Sequence, residues 1–282
     1  MNEDLLNHYL QVWKLSDPQP LTATPTSHLY TVTYAGERVV LKLLTDFGWA
    51  ENRGAAALAC FGGHGAVRLY QRDEKAQLIE YADGVELVTR VEAGDDVGAT
   101  RIIVEVLNQL HSGQPAICEG VLPLDRWFEA LFSKAEADER AGVESIYQRG
   151  AQVAKRLLAD PRDVRVLHGD IHHHNIRQSA RGWLAFDAKG LVGERTYDCC
   201  NTLCNPYLGI PRHDDRVHNE PRLLRNAGIL ADGLGIDRAR VLAFTFAYAC
   251  LNAIQWWNLQ NDDVVAWTLG IAQIVEPHVK LD

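Results

Sequence analysis

Apolar residues at Leu5, Leu6, Tyr9, Leu10, Val12 and Trp13 recur at helical spacing and predict an amphipathic helix over 3–15. Pro18, Pro20 and Pro25 break that pattern. The β-branched and aromatic runs Leu29–Tyr34 and Arg38–Leu44 flank the turn Ala35-Gly36-Glu37 and read as paired strands. An Ala-rich helix is expected over 50–61, then strands over 67–70 and 76–81. Beyond Ala82-Asp83-Gly84 the periodicity becomes helical, with helices near 86–92, 98–111, 124–140, 144–159, 196–204, 220–234, 237–258 and 263–275. Only the stretch 164–187 interrupts them, where Val164–Leu167 and Trp183–Phe186 read as short buried strands around a polar loop.

These elements predict an α+β chain in two lobes. A small antiparallel sheet with one helix occupies 1–81, a hinge 82–84, and a larger, mostly helical lobe 85–282. With 282 residues and 47% hydrophobic content, the chain is long and apolar enough to bury a large core.

A net charge of −9 argues against a nucleic-acid-binding protein, which normally shows a basic patch, and suits a cationic small-molecule partner. No uninterrupted apolar stretch reaches the roughly 18 residues of a membrane helix. The acidic start Met1-Asn2-Glu3-Asp4 lacks the basic region of a signal peptide. A cytoplasmic protein with no membrane partner is expected. Six cysteines without a C-x-x-C pair read as small buried apolar residues rather than disulfides or zinc ligands. The sequence leaves the oligomeric state open.

The candidate chemistry lies in His168-Gly169-Asp170-Ile171-His172-His173-His174-Asn175 and in Asp187. Asn175 follows Asp170 by five residues, and Asp187 follows Asn175 by twelve. A hairpin between them would set Asn175 beside Asp187. An amide and a carboxylate so placed suit Mg²⁺, a hard cation that prefers oxygen ligands. Asp170 is then free to accept a proton from an attacking hydroxyl. The spacing matches the protein-kinase catalytic loop H-R-D-x-x-x-x-N with its later metal-binding Asp, although Gly169 stands for the Arg and Asp187-Ala188-Lys189-Gly190 for D-F-G. The adjacent imidazoles of His172, His173 and His174 cannot all face one metal, so a solvated loop is expected there.

A kinase also needs groups from its first lobe. Lys42, in an apolar strand, is the candidate phosphate contact, and Glu51 its helix partner. A strand lysine can equally snorkel from the sheet face, and Glu51 can equally serve the helix start. The nucleotide loop is expected around Thr24–His28, where Thr26 or Ser27 would meet phosphate oxygens, although the loop has no glycine. Glu80, Tyr81 and Ala82 would offer backbone groups to the base, and Val39 and Leu41 would line its pocket.

Several segments together resemble the aminoglycoside phosphotransferases, in particular the aminoglycoside/hydroxyurea antibiotic resistance kinases of the streptomycin 6-phosphotransferase type. They are Glu51–Ala55, Gly65–Leu69, Glu80–Ala82, Leu167–Ile176, Arg181–Asp187 and Gly190–Glu194. The resemblance runs from about Lys42 to Asp198 and is looser beyond. It implies a bilobal protein-kinase-like fold and Mg²⁺-dependent phosphoryl transfer from ATP, with GTP as the alternative donor, to a hydroxyl of an aminocyclitol antibiotic such as streptomycin. It implies Asp170 as catalytic base, Asn175 and Asp187 as metal ligands and Lys42 as phosphate contact. Asp198 is expected to cap a helix or brace the catalytic loop.

Streptomycin carries two guanidinium groups, so its pocket should supply carboxylates and flat apolar faces. Glu194, Asp214, Asp215, Trp256 and Trp257 are the candidates. Two other readings share the catalytic residues: a kinase for a hydroxyl-bearing metabolite such as an amino alcohol, sugar or hydroxyurea-like compound, and a nucleotide-binding pseudokinase.

Overall fold

Alternation along the strands decides which face of the N-terminal sheet meets which neighbour. In the computed structural model, which describes residues 2–113, 118–207 and 216–280, the first elements are α1 (Asn2–Val12), β1 (Ser16–Ala23), β2 (Ser27–Tyr34) and β3 (Glu37–Leu44). α2 (Glu51–Phe61), β4 (Leu69–Arg72) and β5 (Ala76–Glu80) follow. The strands form one antiparallel sheet in the order β1-β2-β3-β5-β4. In central β3, Val39, Leu41 and Leu43 pack with Tyr9 of α1 and with Trp13 just after it. Val40 belongs to the main core with Leu58 and Phe61 of α2. Lys42 has the parity of Val40, since successive side chains leave opposite faces.

Two local readings are corrected here. Pro18 and Pro20 do break the helical pattern, but they lie in an unanticipated strand, β1, at the sheet edge with register shifts between Ser16 and Gln19 and between Pro20 and Thr22. Proline removes a ladder donor, and an edge strand tolerates that loss. The strand expected over 67–70 begins at Leu69, because Ala66 bridges to Ala185 and the Val67 N–H donates to the Ala185 carbonyl.

The larger lobe contains α3 (Val88–Glu92), α4 (Asp96–Leu110), β6 (Leu122–Pro123), α5 (Leu124–Trp127), α6 (Glu129–Arg140) and α7 (Ile146–Ala159). Next come β7 (Val164–Leu167), β8 (Ile176–Ser179), β9 (Gly182–Ala185), β10 (Leu191–Glu194) and α8 (Cys200–Leu203). α9 (Glu220–Leu234), α10 (Arg238–Asn258) and α11 (Asp262–Val275) complete it. β10 pairs antiparallel with β7 and parallel with β6, while β8 and β9 form a separate hairpin. α10 is buried almost all round between Arg240 and Leu251, as a central core helix should be. Side-chain caps start the long helices: Ser145 and Gln148 form a capping box on α7, and Asn219, Asp237 and Asn261 cap α9, α10 and α11. The expected α+β class, an antiparallel sheet followed by a helical part, is the observed one.

Between β5 and α3 the chain runs along β8. The Gly84 N–H donates to the Gln178 carbonyl at 3.0 Å, and a Cβ on Gly84 would stand 2.7 Å from that oxygen. Among the described residues, no helix is long and apolar enough to cross a membrane.

Three further expectations fail for reasons of burial and distance in sequence. Cys60 of α2 is disulfide-bonded to Cys118, whereas Cys199, Cys200, Cys204 and Cys250 are buried free thiols as expected. A pair separated by 58 residues has no local spacing signature. His173 is not solvated but fully buried, with neither ring nitrogen partnered, and burial pushes its pKa down to about 3. Glu194 does not face a pocket: it is 2% exposed and ion-paired with Arg240, and it accepts the Thr196 hydroxyl at 2.7 Å.

The Glu194–Arg240 pair yields a stability prediction. Arg240→Met leaves a buried carboxylate unpaired and should cost about 3–5 kcal/mol in urea unfolding. Adding Glu194→Leu should recover most of that loss. A single variant with unchanged stability would show that the pair carries no structural weight.

Candidate active site

β7 delivers the polar loop from the core, and its first two amides are tied at once. The buried Asp198 carboxylate accepts the His168 N–H at 3.1 Å and the Gly169 N–H at 2.7 Å, and bonds the His111 ring at 2.9 Å. Asp198 therefore braces the loop. Burial lowers the His168 pKa, so the ring is neutral. Its Nε2 lies 3.0 Å from the Phe186 carbonyl, which can only accept, so Nε2 carries the proton and Nδ1 receives the Asp170 N–H at 3.3 Å. Gly169 sits at φ +80°, and a Cβ there would meet Leu191 at 2.8 Å.

Asp170 is held but not enclosed. Its Oδ1 accepts a short hydrogen bond from the Asn201 amide, and its Oδ2 lies 3.2 Å from Lys189 Nζ and 3.3 Å from Asn175 Nδ2. The same Asn175 nitrogen donates to the Asp170 carbonyl at 3.0 Å, which leaves the amide oxygen as the atom able to coordinate a cation. The Phe186 N–H donates to the Asn175 carbonyl at 3.0 Å, so the β8–β9 hairpin sets Asn175 opposite Phe186, the residue before Asp187.

Asp187 adopts φ +63°, a left-handed conformation that costs a non-glycine residue about 1–3 kcal/mol. Its Oδ1 lies 2.8 Å from Lys42 Nζ, and Glu51 Oε2 lies 2.7 Å from the same ammonium. Burial opposes the charge on Asp187, but Lys42 and Lys189 together hold its carboxyl below the ordinary range. Burial likewise opposes the Lys42 charge, and Asp187 and Glu51 outweigh it, raising that pKa. Asp170 beside Lys189 raises the lysine's pKa and keeps it an ammonium.

The contact between the lobes depends on two glycines. A Cβ on Gly54 of α2 would stand 2.1 Å from the Ala188 carbonyl, and one on Gly190, at φ +69°, would stand 2.0 Å from the Arg53 carbonyl. Only bare backbone lets α2 and the segment after Asp187 approach so closely.

Two cavities meet at this cluster. The first, about 380 Å³, is lined by Lys42, Glu51 and Asp187, by Thr24, Thr26 and Ser27, and by apolar Leu29, Ile79 and Phe186. The Thr26 hydroxyl donates to Glu51 at 2.9 Å, tying the β1–β2 loop to the ion cluster. Ser27 is buried and its hydroxyl pairs with that of Thr24. Val39 and Leu41, expected in this lining, face α1 instead, because their parity is opposite to that of Lys42. Neither Glu80 nor Ala82 lines the cavity: the Glu80 N–H donates to the Arg68 carbonyl, and its carboxylate pairs with Arg181. The Gln77 side chain, which sequence reasoning missed, donates to the Glu51 carbonyl at 3.0 Å and lines the wall.

The second cavity, about 420 Å³, lies on the other side of Asp170. Its wall is made of aromatic rings, among them Tyr207, Trp256 and Trp267, and of amides, among them Asn205, Asn252 and Gln255. Asp170 is the one carboxylate among the described residues that line it. Trp257 is 51% exposed and lies outside the lining, beneath the Lys134 ammonium. Asp214 and Asp215 lie outside the described residues. The amides were the missed signal: Asn252 and Gln255 lie three apart on the same helix as Trp256, a polar stripe on an otherwise apolar helix.

Comparisons with known proteins point to one family. The aminoglycoside/hydroxyurea antibiotic resistance kinase family profile matches residues 12–260. A streptomycin 3''-kinase of Klebsiella pneumoniae is 33% identical over 248 residues, covering 86% of this chain and 89% of the relative. A streptomycin 6-kinase of Streptomyces griseus is 31% identical over 240 residues, covering 80% and 72%. In fold, the chain is similar to the aminoglycoside phosphotransferase APH(4)-Ia in ternary complex with ADP and hygromycin B, with a TM-score of 0.64 at 12% identity over 98% of this chain and 99% of that one. The chain belongs to the aminoglycoside/hydroxyurea antibiotic resistance kinases, small-molecule phosphotransferases with a hydroxyl acceptor.

The glycine contacts separate two costs of substitution. Gly190→Ala should lose about 3 kcal/mol or more in urea unfolding, because a positive φ and a backbone collision combine. Gly182→Ala, at φ +100° with open space around it, should lose only about 1 kcal/mol. Equal losses would mean that the α2 contact tolerates a methyl group.

Proposed function

We propose that this family member transfers the γ-phosphoryl group of ATP to a hydroxyl of a cationic aminocyclitol antibiotic, with streptomycin as the first candidate acceptor. The observation that carries the reading is the position of Asp170: it lines the amide-and-aromatic cavity, while Lys42 and Asp187 line the neighbouring one. A nucleotide in the first cavity and an acceptor in the second would meet at Asp170 and Lys189. The names and coverage of the matched relatives support streptomycin as the acceptor.

In this reading Lys42 neutralises nucleotide phosphates, and Thr26 and Ser27 border them. Asp170 orients the acceptor hydroxyl and takes its proton as the oxygen–phosphorus bond forms, an action worth about 10²–10⁴-fold. The Asn175 amide oxygen and the Asp187 carboxylate would hold Mg²⁺; both are hard oxygen donors, as the ion requires. When bound, the ion supplies positive charge to the phosphate oxygens. Guanidinium groups of the acceptor would stack on Tyr207, Trp256 or Trp267 and donate to amide oxygens of the wall. A cytoplasmic location, where ATP is available, accords with this chemistry.

Mass spectrometry of streptomycin incubated with the protein and Mg·ATP should show the gain of one phosphate. NMR of the product then assigns the hydroxyl, 3'' or 6 by the relatives' names, and parallel reactions with GTP rank the donors. Phosphate gained only by an amino alcohol or sugar in a metabolite panel would move the reading to a metabolite kinase. No phosphorylation of any acceptor, despite tight Mg·ATP binding, would leave a pseudokinase. Asp170→Asn should lower turnover by about 10²–10⁴-fold while ADP affinity stays within about threefold. Near-normal turnover in that variant would remove Asp170 from the reaction.

A further inference from the structure

Lys189 has no counterpart among the groups discussed above, yet its position is distinctive. Among the described residues it alone lines both cavities. Its backbone is fixed on both sides: its N–H donates to the His168 carbonyl at 2.7 Å, and the following Gly190 packs against the Arg53 carbonyl. Its Nζ lies 3.2 Å from Asp170 Oδ2, and its side chain is 45% exposed. Among the described residues, Lys42 is the other cationic side chain at the cluster; its side chain is 9% exposed and already engaged by Glu51 and Asp187. Among the described residues, Lys189 is in ion-pair contact with Asp170 alone, and it borders open volume on either side.

We propose that Lys189 is a further catalytic residue, whose ammonium contacts the phosphoryl group as it passes from the nucleotide cavity to the acceptor cavity. The inference rests on the phosphotransferase reading and concerns charge flow within it. Before transfer, Lys189 is paired with the Asp170 carboxylate. During transfer, the bond between phosphorus and the bridging oxygen of ADP breaks as the acceptor oxygen–phosphorus bond forms, and the acceptor proton goes to Asp170. Protonation removes the negative charge that Lys189 was paired with. The new phosphate ester carries negative charge in the second cavity, within reach of the freed ammonium. Lys189 thus exchanges one anionic partner for another and stabilises phosphoryl charge that enters the second cavity only late in the reaction. A preorganised cation aimed at developing charge lowers the barrier more than it tightens ground-state binding.

The test compares wild type with Lys189→Met and Lys189→Arg, using turnover and the trapping of Mg·ADP with aluminium fluoride, a mimic of the phosphoryl group in transfer. Lys189→Met should lower kcat by about 10²–10³-fold and leave KM for ATP and ADP affinity within about threefold. It should also lose the tight ADP–aluminium fluoride complex, and Lys189→Arg should restore most of both. Unchanged ADP affinity certifies that the variant is folded. Turnover within about threefold of wild type in Lys189→Met would overturn the proposal. So would reduced turnover with wild-type trapping, which would make Lys189 a positioning residue for Asp170. Trapping needs no acceptor, so it tests Lys189 even if streptomycin is not the substrate. Failure of wild type to phosphorylate any acceptor counts against the function, whereas equal trapping in wild type and Lys189→Met counts against Lys189.

Discussion

The site depends on one buried ammonium. Lys42 is 7% exposed on the central strand of the first lobe, where an unpaired charge would cost several kcal/mol or lose its proton. It stays charged because Glu51 comes to it from α2 and Asp187 from the turn after β9. Lys42 and Glu51 lie nine residues apart and Asp187 lies 145 from Lys42, so two neighbouring elements and one distant turn must arrive together for any of them to be satisfied. Gly54 and Gly190 make the approach possible, since any side chain at either position would strike backbone. The ion cluster and the glycine contact are thus two parts of one constraint: the charge requires the lobes to meet, and the missing side chains allow it.

Burial then assigns different work to chemically identical groups. Asp198 and Asp170 both belong to the loop's surroundings. Asp198 is sealed beneath it and fully used by two backbone amides and a histidine. Asp170 bonds an amide, a second amide and a lysine, yet remains on a cavity wall. Glu194 has been drawn into the core by Arg240. A carboxylate enclosed by fixed donors is a brace, and one that borders solvent-accessible volume beside a cation can exchange partners. The same logic separates Lys42, enclosed by two carboxylates, from Lys189, which borders open volume.

Among the described residues, the wall of the second cavity carries amides and aromatic rings, with Asp170 as its one carboxylate. Neutral oxygens and ring faces recognise a guanidinium without the desolvation cost of a buried ion pair. In the proposed function such a wall would accommodate more than one orientation of a polycationic sugar more readily than a fixed salt bridge does. That is compatible with a family in which relatives similar to this chain are named for different hydroxyls of one antibiotic.

Much of this was legible in the chain itself. Helical periodicity located the long helices, α9 at its observed limits, and period-two runs found β2 and β3. The spacing of Asp170, Asn175 and Asp187 marked the candidate reacting loop, because a kinase loop is local: its residues are joined by a short hairpin. Other features had no local signal. Proline marks an edge strand only once the neighbouring strand is known, so β1 was missed. The parity that sends Val39 and Leu41 to α1 was present in the sequence, but which face held the cavity was not. The Cys60–Cys118 bond, the burial of His173 and Glu194, and the place of Lys189 between two cavities all join residues far apart along the chain. The sequence by itself determined the element types and the candidate reacting groups, since both are written in short-range spacing. Only the tertiary structure decided which charges are enclosed and which face open volume, because burial is set by neighbours that the chain brings from elsewhere.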